Sequence, residues 1–228
     1  MGRLAWVAIG TLAACGDNLA SIDAPRPIDA ARLDAPALDA PSGPPDLTLI
    51  AALMDNTVVV TQDSFGIGSC EVLEQCVGAA GTRRLLRFDT VTANVGSGDL
   101  DLGMPPPNGT SDSVFTWSPC HGHHHVLGYA VYELLDANGV VLTGHKQAFC
   151  LQDIQQVRPG APSHGFNCSK QGMSAGWADV YSRALPCQWI DVTGVAPGTY
   201  TLRVGINPSA TLADSDLSNN EYTRTVTL

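Results

Sequence analysis

The clearest pattern in the chain is an alternation near its end. Tyr200, Leu202, Val204 and Ile206 are apolar, while Thr201, Arg203, Gly205 and Asn207 are polar or small. That period of two is what a half-buried strand requires. Ala196-Pro197-Gly198 precedes it as a turn signal. Similar runs predict strands over residues 47–53, 57–61, 84–93, 128–135, 140–148 and 221–228. Asn138-Gly139 between two of them is a hairpin signal. As a two-residue loop it sets Ala137 opposite Val140 and Val131 opposite Lys146. No stretch has helical periodicity beyond one short turn over 71–77. Short strands with regular turns predict an all-β antiparallel sandwich. Its long loops, 96–107 and 152–177, are where functional groups usually sit.

Before residue 46 this pattern is absent. Residues 16–45 form a Pro/Ala/Asp-rich tract that cannot bury a core and reads as a disordered linker. Residues 1–15 read as an export signal: Arg3, then an apolar run over 4–14 too short to span a bilayer. The run ends in Leu12-Ala13-Ala14-Cys15, which resembles a bacterial lipobox, whose cysteine is acylated and becomes the mature N-terminus. A plain secretory signal is the alternative. Gly16 follows the cysteine where an aspartate would retain a lipoprotein. By that resemblance the protein would reach an outer membrane or the cell surface, touching the membrane through its lipid alone. Residues 46–228 form the folded domain.

Composition narrows the reading. Hydrophobic residues make up 44% of the 228 positions, enough for one core. The formal charge of −10 argues against nucleic acid as a partner and suits a cationic substrate by steering. Of seven cysteines, Cys15 goes to the anchor. The remaining six read as three disulfides in an exported domain, with fifteen possible pairings from spacing alone.

Chemistry concentrates in Cys120-His-Gly-His-His-His125, which holds four of the six histidines. His121, His123 and His125 recur at period two, so an extended strand projects them from one face, with His124 on the other. Three imidazoles without a carboxylate suit copper or zinc, and copper has the higher intrinsic affinity. On a straight strand the outer two Cα atoms would lie about 13 Å apart. One shared ion therefore needs a bend, which Gly122 can supply. A surface histidine tract is the bland alternative.

From residue 46 onward the chain resembles the catalytic domain of the lysyl oxidase family. The motifs, in order, include Arg84-Leu-Leu-Arg-Phe88, the histidine run, Tyr132-Glu-Leu-Leu-Asp136 and Gly144-His-Lys-Gln-Ala-Phe-Cys-Leu151. They continue with Gln171-Gly-Met-Ser-Ala-Gly-Trp-Ala-Asp-Val-Tyr181, Cys187-Gln-Trp-Ile-Asp-Val-Thr193, Pro197-Gly-Thr-Tyr200, Ile206-Asn-Pro208 and Ser215-Asp-Leu-Ser-Asn-Asn220. The resemblance implies a copper-dependent amine oxidase with copper on His121, His123 and His125. It also implies a self-derived lysine tyrosylquinone made from Lys146 and Tyr181. Primary amines, peptidyl lysine among them, would be converted to aldehydes with release of ammonia and hydrogen peroxide.

The family further implies disulfides Cys70–Cys120, Cys76–Cys187 and Cys150–Cys168. A fourth bridge of animal members is absent, with Trp177 standing at one of its positions. It implies calcium at Asp46, the Leu47 carbonyl, Asp214, Asp216, Asn219 and Asn220, for which an Asx-rich turn is the alternative. Residues 126–131 lack the acidic residues and histidine that animal relatives place after the copper ligands, so the catalytic base is open between Asp179 and His145. Two rival readings stand beside the oxidase. One is a non-catalytic copper-binding or adhesive module. The other is a zinc hydrolase, which needs a glutamate or comparable base beside the metal where none is adjacent in sequence.

Overall fold

The computed structural model describes residues 43–144 and 149–228. Over these residues the chain order is β1 (Leu47–Leu49), a one-turn helix α1 (Ala51–Met54), β2 (Val59–Phe65), a second short helix α2 (Cys70–Leu73), β3 (Gly81–Arg87) and β4 (Thr90–Asn94). Then come β5 (Leu100–Gly103), β6 (Phe115–Ser118), β7 (His123–Val126), β8 (Ala130–Asp136), β9 (Gly139–Gly144), β10 (Gln155–Gln156), β11 (Gln171–Met173) and β12 (Trp177–Tyr181). The chain closes with β13 (Trp189–Asp191), β14 (Thr199–Ile206), the 3-10 turn Leu217–Asn219 and β15 (Glu221–Thr227). The protein is thus all-β and antiparallel. Two four-stranded sheets, β1-β4-β12-β10 and β15-β14-β8-β9, are joined by a three-stranded sheet β13-β3-β2 and the ribbons β11-β5 and β6-β7.

The alternation on β14 does what its pattern requires. Leu202, Val204 and Ile206 enter the core, and Arg203 between them ion-pairs with Glu133 on β8. They share one apolar cluster with Val91, Ala93 and Ala178 of the other large sheet. Each such side chain contributes about 1.5–3 kcal/mol by leaving water. β4 is buried along its whole length, polar residues included. Its polar groups are satisfied inside. Thr90 Oγ1 lies 2.8 Å from Tyr132 Oη and accepts from Gln188 Nε2 at 2.9 Å, and Asn94 Nδ2 donates to the Gly98 carbonyl at 2.8 Å. Such pairing removes the cost of burying them.

Several sequence expectations need correction. The run 84–93 is two strands, because the chain changes sheets at Phe88-Asp89: β3 pairs with β2 and β13, whereas β4 pairs with β1 and β12. Asp89 holds the corner, donating its N–H to Thr57 Oγ1 and accepting from the Arg183 N–H. The run 47–53 stops at Leu49, since α1 follows and buries Met54. Both presumed loops contain pairing: β5 lies within 96–107, and β10 and β11 within 152–177. The hairpin turn is Ala137-Asn138, with Asp136 opposite Gly139, and a register shift follows at Leu134/Leu135. The Asp136 carboxylate accepts the Asn138 N–H at 2.7 Å, an Asx turn that sets this register. The pairing of Ala137 with Val140 therefore does not occur. Its extension to Lys146 lies outside the described residues, as do the lipobox Cys15, the signal 1–15 and most of the linker 16–45.

Three disulfides staple the domain: Cys70–Cys120, Cys76–Cys187 and Cys150–Cys168. Such bridges form in oxidising, extracytoplasmic compartments and point to an extracellular protein. Among the described residues no helix is long and apolar enough to cross a membrane.

Candidate functional site

The histidine run folds as a hairpin. β6 pairs with β7 so that Ser118 faces His123 and Thr116 faces His125. The turn between them needs Gly122, whose φ of +68° is a left-handed conformation that side chains disfavour. The Gly122 N–H closes the turn on the Ser118 carbonyl at 2.8 Å. His121 thus lies in the turn and not on the strand, and its ring folds back over β7.

The result is convergence. His121 Nδ1 lies 3.2 Å from His125 Nε2, which lies 3.0 Å from His123 Nε2. The opposite nitrogen of His123 faces the His121 carbonyl at 3.1 Å, an outer contact that leaves Nε2 for a ligand. Three imidazole nitrogens aimed at one point, with no carboxylate among them, fit a borderline-soft cation such as copper or zinc. His124 is separated as its parity requires: its Nε2 faces the Thr110 carbonyl at 2.9 Å, and its ring meets Trp117 edge-on at 4.9 Å. It is structural.

Glu74 was missed by sequence reasoning. At the end of α2, its Oε2 lies 3.3 Å from His121 Nε2, and its Oε1 accepts the Ser118 hydroxyl at 2.7 Å. Its only sequence signal is its place between Cys70 and Cys76, and the Cys70–Cys120 bridge brings that segment to the histidine turn. Glu74, Cys76 and Cys187 also cluster, but both sulfurs are committed to a disulfide, so this group is no second metal centre.

Tyr181 ends β12. Its hydroxyl accepts the Cys150 N–H at 2.6 Å and donates to the Cys150 carbonyl at 3.2 Å. Its ring packs on Phe149 with centroids 4.3 Å apart, and the Phe149 carbonyl accepts the N–H of Val126, the residue after His125, at 2.7 Å. Gln171 strengthens this link, donating to the His124 carbonyl and accepting from the Leu151 N–H. One phenylalanine thus separates Tyr181 from the end of the histidine strand. Lys146 and His145 lie outside the described residues, between Gly144 and Phe149.

Asp179, two residues before Tyr181 on β12, points to the same face and is buried. Burial pushes the Tyr181 phenol well above its ordinary pKa, and the negative charge of Asp179 adds to the rise. The hydroxyl stays protonated at neutral pH.

A second cluster joins the two ends of the domain. Asp214 accepts the Leu47 N–H at 3.1 Å and the Asn220 amide at 2.8 Å, and Asn219 donates to Asp46 at 2.9 Å. The buried side-chain carbonyls of Asn219 and Asn220 have no hydrogen-bond partner. Oxygens left unsatisfied beside two carboxylates fit a hard cation such as calcium. Asp216 is exposed and caps the 3-10 turn, its Oδ1 accepting the Ser218 N–H at 2.9 Å, while its own N–H faces Asp214 Oδ1 at 3.4 Å.

A model of the lysyl oxidase family matches residues 45–228. The chain belongs to the lysyl oxidase family. Similar proteins include lysyl oxidase homolog 2 of Xenopus tropicalis, 36% identical over 187 residues, and lysyl oxidase homolog 3A of Danio rerio, 37% identical over 188. Human lysyl oxidase homolog 3 is 36% identical over 186 residues. Each match takes in 77% of this chain but only 24% of the relative, so the chain spans about a quarter of those proteins. At the coarse level, membership makes this a lysyl-oxidase-like protein.

Proposed function

We propose that the protein is a copper-dependent amine oxidase acting on primary amines, peptidyl lysine among them, outside the cytoplasm. The observation that carries this reading is the convergence of three imidazole nitrogens on a hairpin whose last strand residue, Val126, donates to the backbone of Phe149, whose ring packs on Tyr181. His121, His123 and His125 would hold copper. Lys146 and Tyr181 would supply lysine tyrosylquinone, whose carbonyl chemistry condenses with an amine and accepts two electrons from it. In the balanced reaction, amine, oxygen and water give aldehyde, ammonia and hydrogen peroxide.

The chain's own residues position and shield. The Cys150 backbone fixes the Tyr181 hydroxyl, and Phe149 packs against its ring in an edge-type contact. Asp179 faces the same side of β12 as Tyr181 and is the described candidate for removing the substrate α-proton, a role judged on geometry before pKa. The acidic domain attracts cationic amines and repels nucleic acid. A lipid on Cys15 would hold the enzyme at the bacterial membrane or cell surface. Calcium on Asp46, the Leu47 carbonyl, Asp214, Asp216, Asn219 and Asn220 would tie the first strand to the segment before β15. A zinc hydrolase is less well supported. Glu74 does reach a histidine, but at the nitrogen opposite the converging one, whereas a hydrolytic base must face the metal's open position.

The test is visible absorption of the copper-loaded protein during phenylhydrazine titration, run beside Lys146→Ala and Tyr181→Phe. The proposal expects a band that shifts on adduct formation and is absent from both variants. A fully copper-loaded protein with intact disulfides and no adduct would overturn it in favour of a non-catalytic copper-binding or adhesive module.

A further inference from the structure

We propose that Glu74 is a positioning residue for the metal centre, an outer carboxylate that orients His121 and biases the site toward the more highly charged copper ion. The inference rests on the copper reading above. Its starting point is an asymmetry among the histidines. His123 turns its outer nitrogen to a backbone carbonyl, a neutral acceptor, whereas the outer nitrogen of His121 is buried 3.3 Å from an anion, at ion-pair distance but outside hydrogen-bond geometry.

An imidazole that gives one nitrogen to a metal keeps a proton on the other. An acceptor there fixes the ring's tautomer and orientation and raises its basicity as a ligand. His121 needs such help most. It sits in the turn, outside the β7 ladder, so the strand does not orient its ring as it does those of His123 and His125.

Glu74 is built to stay in place. Its N–H closes α2 on the Cys70 carbonyl at 2.8 Å. Cys70 on one side of it bridges to Cys120, the residue before His121, and Cys76 on the other bridges to Cys187. Ser118 completes the arrangement, donating its hydroxyl to Glu74 while accepting the His121 N–H at 3.1 Å. The serine is thus hydrogen-bonded to both partners, and the carboxylate stands at ion-pair distance from the imidazole. The two side chains are 27% and 19% exposed, so water screens their attraction only in part.

A negative charge behind one ligand stabilises Cu(II) more than Cu(I). Glu74→Gln keeps the shape and one acceptor oxygen but removes the charge. The experiment measures Cu(II) and Cu(I) affinities separately, each against a competing chelator, in wild type, Glu74→Gln and Glu74→Ala. The EPR spectrum of the Cu(II) forms and the melting temperature of the metal-free proteins are recorded alongside. Outer-shell partners typically contribute about 10- to 100-fold in metal affinity. The expected result is a loss of that size for Cu(II), a smaller one for Cu(I), an altered EPR spectrum and an unchanged melting temperature for Glu74→Gln. Unchanged Cu(II) affinity in both variants overturns the proposal. Equal losses for both oxidation states with a lowered melting temperature also overturn it, since that is the mark of a merely structural residue. If the wild type itself binds no copper, the copper reading fails and this inference fails with it.

Discussion

The two candidate ion sites of this protein are built in opposite ways. The histidine centre takes all three donors from five consecutive residues, 121–125, and a tight turn brings them together. The oxygen cluster draws Asp46 from one end of the domain and Asp214, Asn219 and Asn220 from the other. A local site can be read from spacing but needs outside support to hold its rings. A distant site leaves little trace in spacing, and an ion there would join elements far apart in the chain. The first depends on α2 and a disulfide for rigidity; the second would itself be the staple.

The sharpest break of this contrast is to remove a donor from the local site. His125→Ala should lower copper affinity more than about 100-fold, beyond what outer-shell losses cost, and abolish amine-dependent peroxide production. Calcium binding should be unaffected, as metal analysis of the purified variant would record. Equal loss of both ions would mean that the centres are not independent.

Support for the local site is tested by the double variant Cys70→Ser/Cys120→Ser. Removing the bridge should cost about 2–4 kcal/mol in denaturant unfolding. It should also weaken copper binding, since the bridge carries Glu74 to His121. Retained copper affinity would leave the hairpin self-sufficient.

At the distant site, calcium at a hundred times its Kd should stabilise the wild type by about 2.7 kcal/mol, read as a rise in melting temperature. Asp214→Ala should abolish that rise while leaving copper binding intact. A rise that persists in the variant would place calcium elsewhere.

Alkaline titration probes the region between the sites. Tyr129 and Tyr181 have phenol pKa values raised first by burial, with Asp179 adding to each, and Tyr129 also feels Asp214. For a phenol raised in the folded state, the stabilising difference is fully present below the unfolded pKa near 10 and is lost as pH climbs above it. Stability should therefore fall above about pH 10. In protein prepared without copper, where Tyr181 remains a phenol, ultraviolet absorbance should show these phenols ionising later in the native than in the unfolded protein. Calcium bound at Asp214 would offset its charge and bring the Tyr129 transition slightly earlier.

The smallest effect is expected at His124. His124→Gln should cost about 0.5–1.5 kcal/mol through the lost Trp117 contact and leave the copper stoichiometry unchanged. Lost copper would contradict the parity that sets this histidine apart.

What the sequence determined by itself was local. The strand at Tyr200–Ile206, the turn at Gly122 and the split of His124 from its neighbours all follow from backbone periodicity and φ preference, which act over a few residues. The family motifs carried the disulfide pairing that spacing left open among fifteen choices. The tertiary structure decided what depends on chain reversal: the sheet change at Phe88-Asp89, the shifted hairpin register, and Glu74 beside His121. Glu74 precedes His121 by more than forty residues, and no periodicity links them. Only the folding of α2 against the histidine hairpin, held by Cys70–Cys120, brings that carboxylate to the imidazole.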